Sequence, residues 1–295
     1  MRKADTAARS AARSAPTTQD TKGRGTVSYR YAVERTDHSA LASGQVLRSA
    51  PGFPGFPVRL ASELFQRAMA HSAKESVRLW DPCCGSGYLV TVLGFLHRDR
   101  LTHVRAGDVD PDAVALAARN LRLLSAEGLA EREDELRRSA RDFGRPAFVE
   151  RAESTRDLAA GLAASGGDLP HETAVADVFA LRDPVDADLV VTDVPYGEMT
   201  SWAGDVPGGA GDGSAGHDAG GGDGRASRPG EGGGGGGEPL RAMLASLGRV
   251  LPEHAVVVVT ARTRRISLPE GVRALERVKV GNRAAALVRA RDIAP

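Results

Sequence analysis

Asp81, Asp108 and Asp193 each close an apolar run, and a small-residue loop with Gly85 and Gly87 follows the first of them. That first stretch reads Val77-Arg78-Leu79-Trp80-Asp81-Pro82-Cys83-Cys84-Gly85-Ser86-Gly87-Tyr88-Leu89. Its pattern predicts a strand, a glycine loop and a helix start. Glycine suits a tight turn that a ligand must approach closely. The third glycine of a dinucleotide fingerprint is missing, because Val90 stands there, and no Gly-Lys-Ser/Thr run marks a P-loop. The loop therefore lacks a phosphate clamp. Asp81 at the strand end would repel an anion and pair with a cation. A sulfonium with an amino acid tail and an adenosine fits that chemistry, so S-adenosylmethionine (SAM) is the expected cofactor.

Thr102 to Asp108 reads as a second strand. An acid at its end is placed to accept hydrogen bonds from ribose hydroxyls. Asp108 follows Gly85 at about the twenty-residue distance of a βαβ unit. Asp110, just before Pro111, reads instead as a helix cap, with the helix running to Leu121. Asp177, in an expected third strand from Glu172 to Phe179, is placed to accept from an adenine amino group. Cys83 and Cys84 are adjacent, which makes them poor disulfide partners, and two thiols do not build a zinc site. They read as small residues of the loop in a reducing compartment, with Cys84 beside Gly85 and Gly87 in the cofactor site. No metal site is expected. The rigid loop from Ser49 to Arg59 holds three prolines and two glycines. It is either a packed entry loop or a cover for the ligand, with Phe56 against it and Arg59 near its carboxylate.

Asp193-Val194-Pro195-Tyr196 ends an expected fourth strand, Ala187 to Asp193. It resembles the Asp/Asn-Pro-Pro-Tyr motif of amino-group N-methyltransferases, with Val194 in place of the first proline. The resemblance makes Asp193, Pro195 and Tyr196 the catalytic candidates. Asp193 and the following carbonyl would hold a substrate NH2, and the Tyr196 ring would stack on the base.

These motifs need an α/β scaffold. A helix is expected from about Leu60 to Ala70, another from Leu240 to Leu251, and a buried strand from Ala255 to Thr260. Ala274 to Arg289 reads as two strands around a Gly-Asn turn. Leu121 to about Arg156 is charged and helical, with Glu133/Arg137 and Asp134/Arg138 at i,i+4 spacing, and reads as an inserted arm. Residues 1–28 have almost no bulky apolar side chains and read as a disordered basic tail. Residues 203–238 carry about half of the chain's glycines and read as a disordered loop. One domain is thus expected, with 29–202 as its entry and SAM-binding part and 239–292 as its C-terminal part. Aromatics are only 4% of the 295 residues, so Ala, Val and Leu must build the core. The net charge of +1 is uninformative, but Arg262, Arg264, Arg265, Arg273, Arg277, Lys279, Arg283, Arg289 and Arg291 make the C-terminal third basic. Such a cluster is a phosphate footprint by type. No apolar run is long enough to span a membrane.

Ser49–Arg67, Asp81–Leu89, Gly107–Asn120, Thr192–Trp202 and Ala274–Arg289 together resemble the avilamycin-resistance rRNA methyltransferase A family. The similarity covers roughly 29–202 and 239–292. It implies a class I methyltransferase: a Rossmann-like seven-stranded sheet with helices on both faces, plus the helical insertion. It further implies methylation of a guanosine base of 23S rRNA in the large ribosomal subunit, and protection from orthosomycin antibiotics. A cytoplasmic monomer is expected, with 23S rRNA or the large subunit as its partner. Two alternatives stand beside this reading: an N-methyltransferase acting on another nucleic-acid base or a protein amine, and a non-catalytic RNA-binding protein with a vestigial SAM pocket.

Overall fold

The computed structural model describes residues 29–194 and 237–295. The basic tail, Pro195, Tyr196 and nearly all of the Gly-rich segment lie outside the described residues. The elements run α1 (Val58–Met69), β1 (Val77–Asp81), α2 (Tyr88–Leu96), β2 (Leu101–Asp108), α3 (Pro111–Leu121), α4 (Ala126–Phe143), α5 (Pro146–Ala164), β3 (His171–Val175), β4 (Leu189–Asp193), α6 (Gly237–Val250), β5 (Val256–Ala261), β6 (Glu276–Val280), β7 (Arg283–Arg289) and α7 (Ala290–Ile293). One seven-stranded sheet has the order β3-β2-β1-β4-β5-β7-β6. The first five are parallel, and β7 runs antiparallel to both β5 and β6.

Strand periodicity divides the core. Leu189, Val191, Val256, Val258 and Leu287 face a layer built on α1, α2 and α3. Val190, Val257, Val259, Ala286 and Val288 face α6 and α7. Both faces are covered, which is why β4 and β5 are almost uniformly apolar rather than alternating with polar residues. The strand order reverses between β1 and β4, and a crevice forms at such a switch point outside the carboxyl ends of the strands. Asp81 and Asp193 end the two strands that flank it.

Two expectations shift. β3 stops at Val175, so Asp177 lies in the loop beyond it rather than on the strand. The charged arm is a pair of helices. Gly144 adopts φ +61° at the end of α4, and Pro146 starts α5, so the chain turns back there. Asp110 caps α3 as expected, its side chain accepting from the Asp112 amide. No helix among the described residues is long and apolar enough to cross a membrane.

Candidate active site

The loop after β1 is stitched to the end of β2 by its own backbone. The Cys84 amide donates to the Gly107 carbonyl at 2.8 Å, and the Gly85 amide donates to the Asp108 carboxylate at 2.7 Å. Gly85 and Gly87 both have positive φ, +53° and +69°. A Cβ on Gly87 would stand 2.9 Å from the side chains of Ala117 and Leu121 on α3, so both conformation and close packing require glycine. Asn120 of α3 donates to the Ser86 and Arg48 carbonyls, fixing the far side of the loop.

The electrostatics invite a cation. Asp81 is 1% exposed, and burial pushes its carboxyl up to about 7. The Cys83 amide, which donates to Asp81 at 3.1 Å, opposes that shift, while Asp108 and Asp193 add to it. Three carboxylates thus converge on one loop. Burial, reinforced by Asp81, also pushes the thiols of Cys83 and Cys84 up, so neither is a thiolate nucleophile. Among the described residues no group of His, Cys, Asp and Glu is arranged to hold a metal. This donor set fits SAM. Asp81, Cys84, Gly85, Gly87, Asp108 and Asp177 are the residues that would hold it, the carboxylates facing its cationic part and the glycines allowing close approach. Asp108 already accepts from Gly85 and Asp110, and Asp177 from the Phe179 amide.

The entry loop differs from expectation in detail. Phe53, not Phe56, lies over the cofactor loop: a Cβ on Gly85 would come within 3.3 Å of its ring. Phe56 is buried, with the Arg283 guanidinium 4.6 Å from its ring centroid. Arg59, expected near the ligand carboxylate, is committed elsewhere. Its guanidinium donates to the carbonyls of Ala32 and Val33 and stacks on Tyr29, 3.9 Å from the ring centroid. It fastens the N-terminal segment to α1, as does Glu63, which accepts from the amides of Arg30, Tyr31 and Ala32.

Asp193 sits at the crevice. Arg283, only 5% exposed, donates to both of its carboxylate oxygens at 2.6 and 2.7 Å. Burial pushes the Asp193 carboxyl above the ordinary range, and Arg283 and Arg262 offset this only in part. Arg283 was expected on an RNA-facing surface. Its signal was its place: a lone cation opening the otherwise apolar run Ala284–Val288, next to a Gly-Asn turn. The rest of the basic cluster divides. Arg289 and Arg277 donate to main-chain carbonyls, whereas Arg262, Arg264, Arg265, Arg273 and Lys279 are exposed.

The model of the rRNA methyltransferase AviRa family matches residues 27–212 and 230–283. The chain belongs to this family. A curated relative from Streptomyces viridochromogenes, a 23S rRNA (guanine(2535)-N(1))-methyltransferase, is 47% identical over 272 residues, covering 90% of this chain and 97% of its own. Two solved structures of the rRNA methyltransferase aviRa from the same organism, at 1.5 and 2.4 Å, each superpose with a TM-score of 0.74. They are 47% and 46% identical, and each match covers 90% of this chain and 98% of the solved one. The seven-stranded fold is thus that of the AviRa family, and the chain is an rRNA methyltransferase.

Proposed function

We propose that this AviRa-family enzyme transfers a methyl group from SAM to N1 of a guanosine in 23S rRNA of the large ribosomal subunit. In doing so it would protect the ribosome from orthosomycin antibiotics. The observation that carries the chemistry is the Asp193–Arg283 pair at the crevice between β1 and β4. The relative's name supplies the atom. N1 is an amide-like ring nitrogen with one proton and a lone pair delocalised into the ring, whereas the Asp-Val-Pro-Tyr motif suggests an exocyclic NH2. Methylating it requires a proton acceptor. Asp193 accepts the N1–H hydrogen bond and then the proton, while the new N–C bond forms and the S–C bond breaks. A carboxylate above its ordinary pKa is the better base near neutral pH. Arg283 holds that carboxylate in one orientation, so catalysis is positioning and electrostatics.

Bound SAM supplies the methyl group as a sulfonium, held by the Asp81–Gly87 loop and Asp108. Pro195 and Tyr196 follow Asp193 in sequence, and in this reading Tyr196 stacks on the extruded base. A ribosomal substrate implies work in the cytoplasm.

The test is labelled methyl transfer from SAM to unmodified large subunits, with the product nucleoside identified by mass spectrometry. N1-methylguanosine at one site is expected. A ribose methyl would overturn the reading. A methyl on the exocyclic amine would restore the amine-holding role of Asp193 and remove its role as base.

A further inference from the structure

The α4–α5 hairpin ends in a surface that neither the sheet nor the cofactor site uses. At its turn Phe143 is 67% exposed and Val149 43%. The rings of Phe143 and Phe148 lie 6.1 Å apart, and the Arg151 guanidinium stands 5.6 Å from the Phe148 ring centroid. The chain has only seven phenylalanines, so two at one exposed turn call for an explanation. Between residues 137 and 151 five arginines outnumber two acids. Arg137 and Arg156 both bind Glu133, well below the turn. Among the described residues the exposed Arg138, Arg141 and Arg145 make no ion pair.

The hairpin points this surface toward the active end of the sheet. The Ala126 amide donates to Asp168, and the Leu169 amide donates to the Leu124 carbonyl, just before β3 begins at His171. α4 therefore starts beside the end where the strands start, and it runs in their direction. Midway, Arg132 donates to the Val46 carbonyl and Glu135 binds Arg48. The Arg48 carbonyl and the Ser86 carbonyl of the cofactor loop share the Asn120 amide. Phe143 lies eight residues beyond Glu135, roughly 12 Å further at 1.5 Å per residue. The turn thus stands beyond the cofactor loop, at the end that bears Asp81, Asp108 and Asp193.

We propose that this turn is a finger that grips the rRNA substrate. An unpaired nucleobase stacks on Phe143 and Phe148, and Arg138, Arg141 and Arg145 take the flanking phosphates. Exposed π faces ringed by cations match a partner that offers π faces and anions together, which is single-stranded or looped RNA. The proposal deepens the rRNA methyltransferase reading and rests on it.

The experiment uses the full chain and protein-free 23S rRNA. Phe143→Trp should retain methyl transfer and gain a fluorescence signal that RNA quenches, after subtraction of a wild-type titration. The triple variant Phe143→Ser, Arg141→Glu, Arg145→Glu changes only exposed positions. It should raise KM for the rRNA at least tenfold while kcat stays within about threefold and SAM affinity and Tm hold. An unchanged KM together with no added quenching overturns the proposal. So does a defect seen only on assembled subunits and not on bare RNA, which would mark a ribosomal-protein contact. If the wild type methylates neither protein-free 23S rRNA nor unmodified large subunits while Phe143→Trp is still quenched by the RNA, the finger stands and the proposed reaction falls.

Discussion

Arg283 Nη1 lies within 2.7 Å of both carboxylate oxygens of Asp193. The two residues come from strands on either side of β5: Asp193 ends β4, opposite Thr260, and Arg283 opens β7, next to the pairing of Ala261 with Ala284. Sheet register therefore builds the pair. Arg283→Ala leaves a largely buried carboxylate without its counter-charge. Stability should fall by about 3 kcal/mol, the lower end for breaking a buried pair, because Asp193 keeps some exposure. The same change moves the Asp193 pKa further up, so the acid limb of the pH–rate profile should shift to higher pH, and Arg283→Lys should restore part of it. Asp193→Asn keeps the shape and removes the base. It should cut kcat by on the order of 10²-fold or more with SAM affinity near normal. Single-turnover rates against pH check all three variants, and a fully active Asp193→Asn enzyme rules out proton acceptance by this residue.

Asp81 makes the ligand-free protein respond to pH. Its carboxyl titrates at about 7 in the fold, against about 3.9 unfolded. The folded state then holds the extra proton between these values, so this group's contribution to stability declines as pH rises from about 4 to 7. His97 acts in the opposite sense. Burial against Phe65 pushes its ring down to about 4, so its contribution is lost as pH falls from about 6.5 toward 4. The two slopes oppose. Asp81→Asn should remove the first, so its Tm should rise more with pH between 4 and 6.5 than that of the wild type. It should also weaken SAM binding tenfold or more, since a cationic ligand favours the ionised form. Thermal melts at several pH values, with and without SAM, decide it; an Asp81→Asn protein that follows the wild-type curve would show that Asp81 is not the titrating group.

Glu63 anchors the N-terminal segment. Burial pushes its carboxyl up, but the amides of Ala32, Arg30 and Tyr31 and the Arg67 guanidinium win and hold it below the ordinary range. Its contribution is therefore present above about pH 4.5 and is lost on further acidification. Glu63→Gln replaces one acceptor oxygen with a donor and faces it toward donors. A loss of about 2 kcal/mol or more is expected, with faster tryptic cleavage at Arg30 and Arg35. Unchanged cleavage at these arginines would mean that the segment is held by Arg59 and Tyr29 instead.

The strands that carry Asp81, Asp108 and Asp193 were legible because each ends an apolar run at an acid, and buried parallel strands leave that signature. The Asp110 cap and the Gly-Asn hairpin were legible because local chemistry sets them. What sequence could not give was pairing at a distance. Arg283 and Asp193 are ninety residues apart, and only the β4-β5-β7 order brings them together. Arg59 looked free for a ligand because its acceptors are main-chain carbonyls, which leave no trace in side-chain pattern. Phe53 and Phe56 are equivalent as letters, and only loop geometry decides which ring faces Gly85. The charged arm read as one helical stretch because propensity fixes helix but not length; Gly144 and Pro146 divide it.

The cofactor loop depends on Asp108 twice over. One carboxylate oxygen holds the Gly85 amide at 2.7 Å and the other accepts from Asp110 at 3.1 Å, while Asp110 accepts from Asp112 to cap α3. Asp108 thus shapes the glycine loop and remains an acceptor at its rim, whereas Asp110 serves the helix. Asp108→Ala should lower SAM affinity ten- to hundredfold, since a hydrogen bond to a charged acceptor contributes about 1.5–3 kcal/mol. Asp108→Asn, which keeps an acceptor for Gly85, should lose less. Asp110→Ala should cost about 1 kcal/mol of stability through the lost cap and leave SAM binding close to wild type. Calorimetric titration of the three variants with SAM, paired with denaturant melts, separates the roles. A greater loss of affinity in Asp110→Ala than in Asp108→Ala would reverse the assignment of ligand and cap.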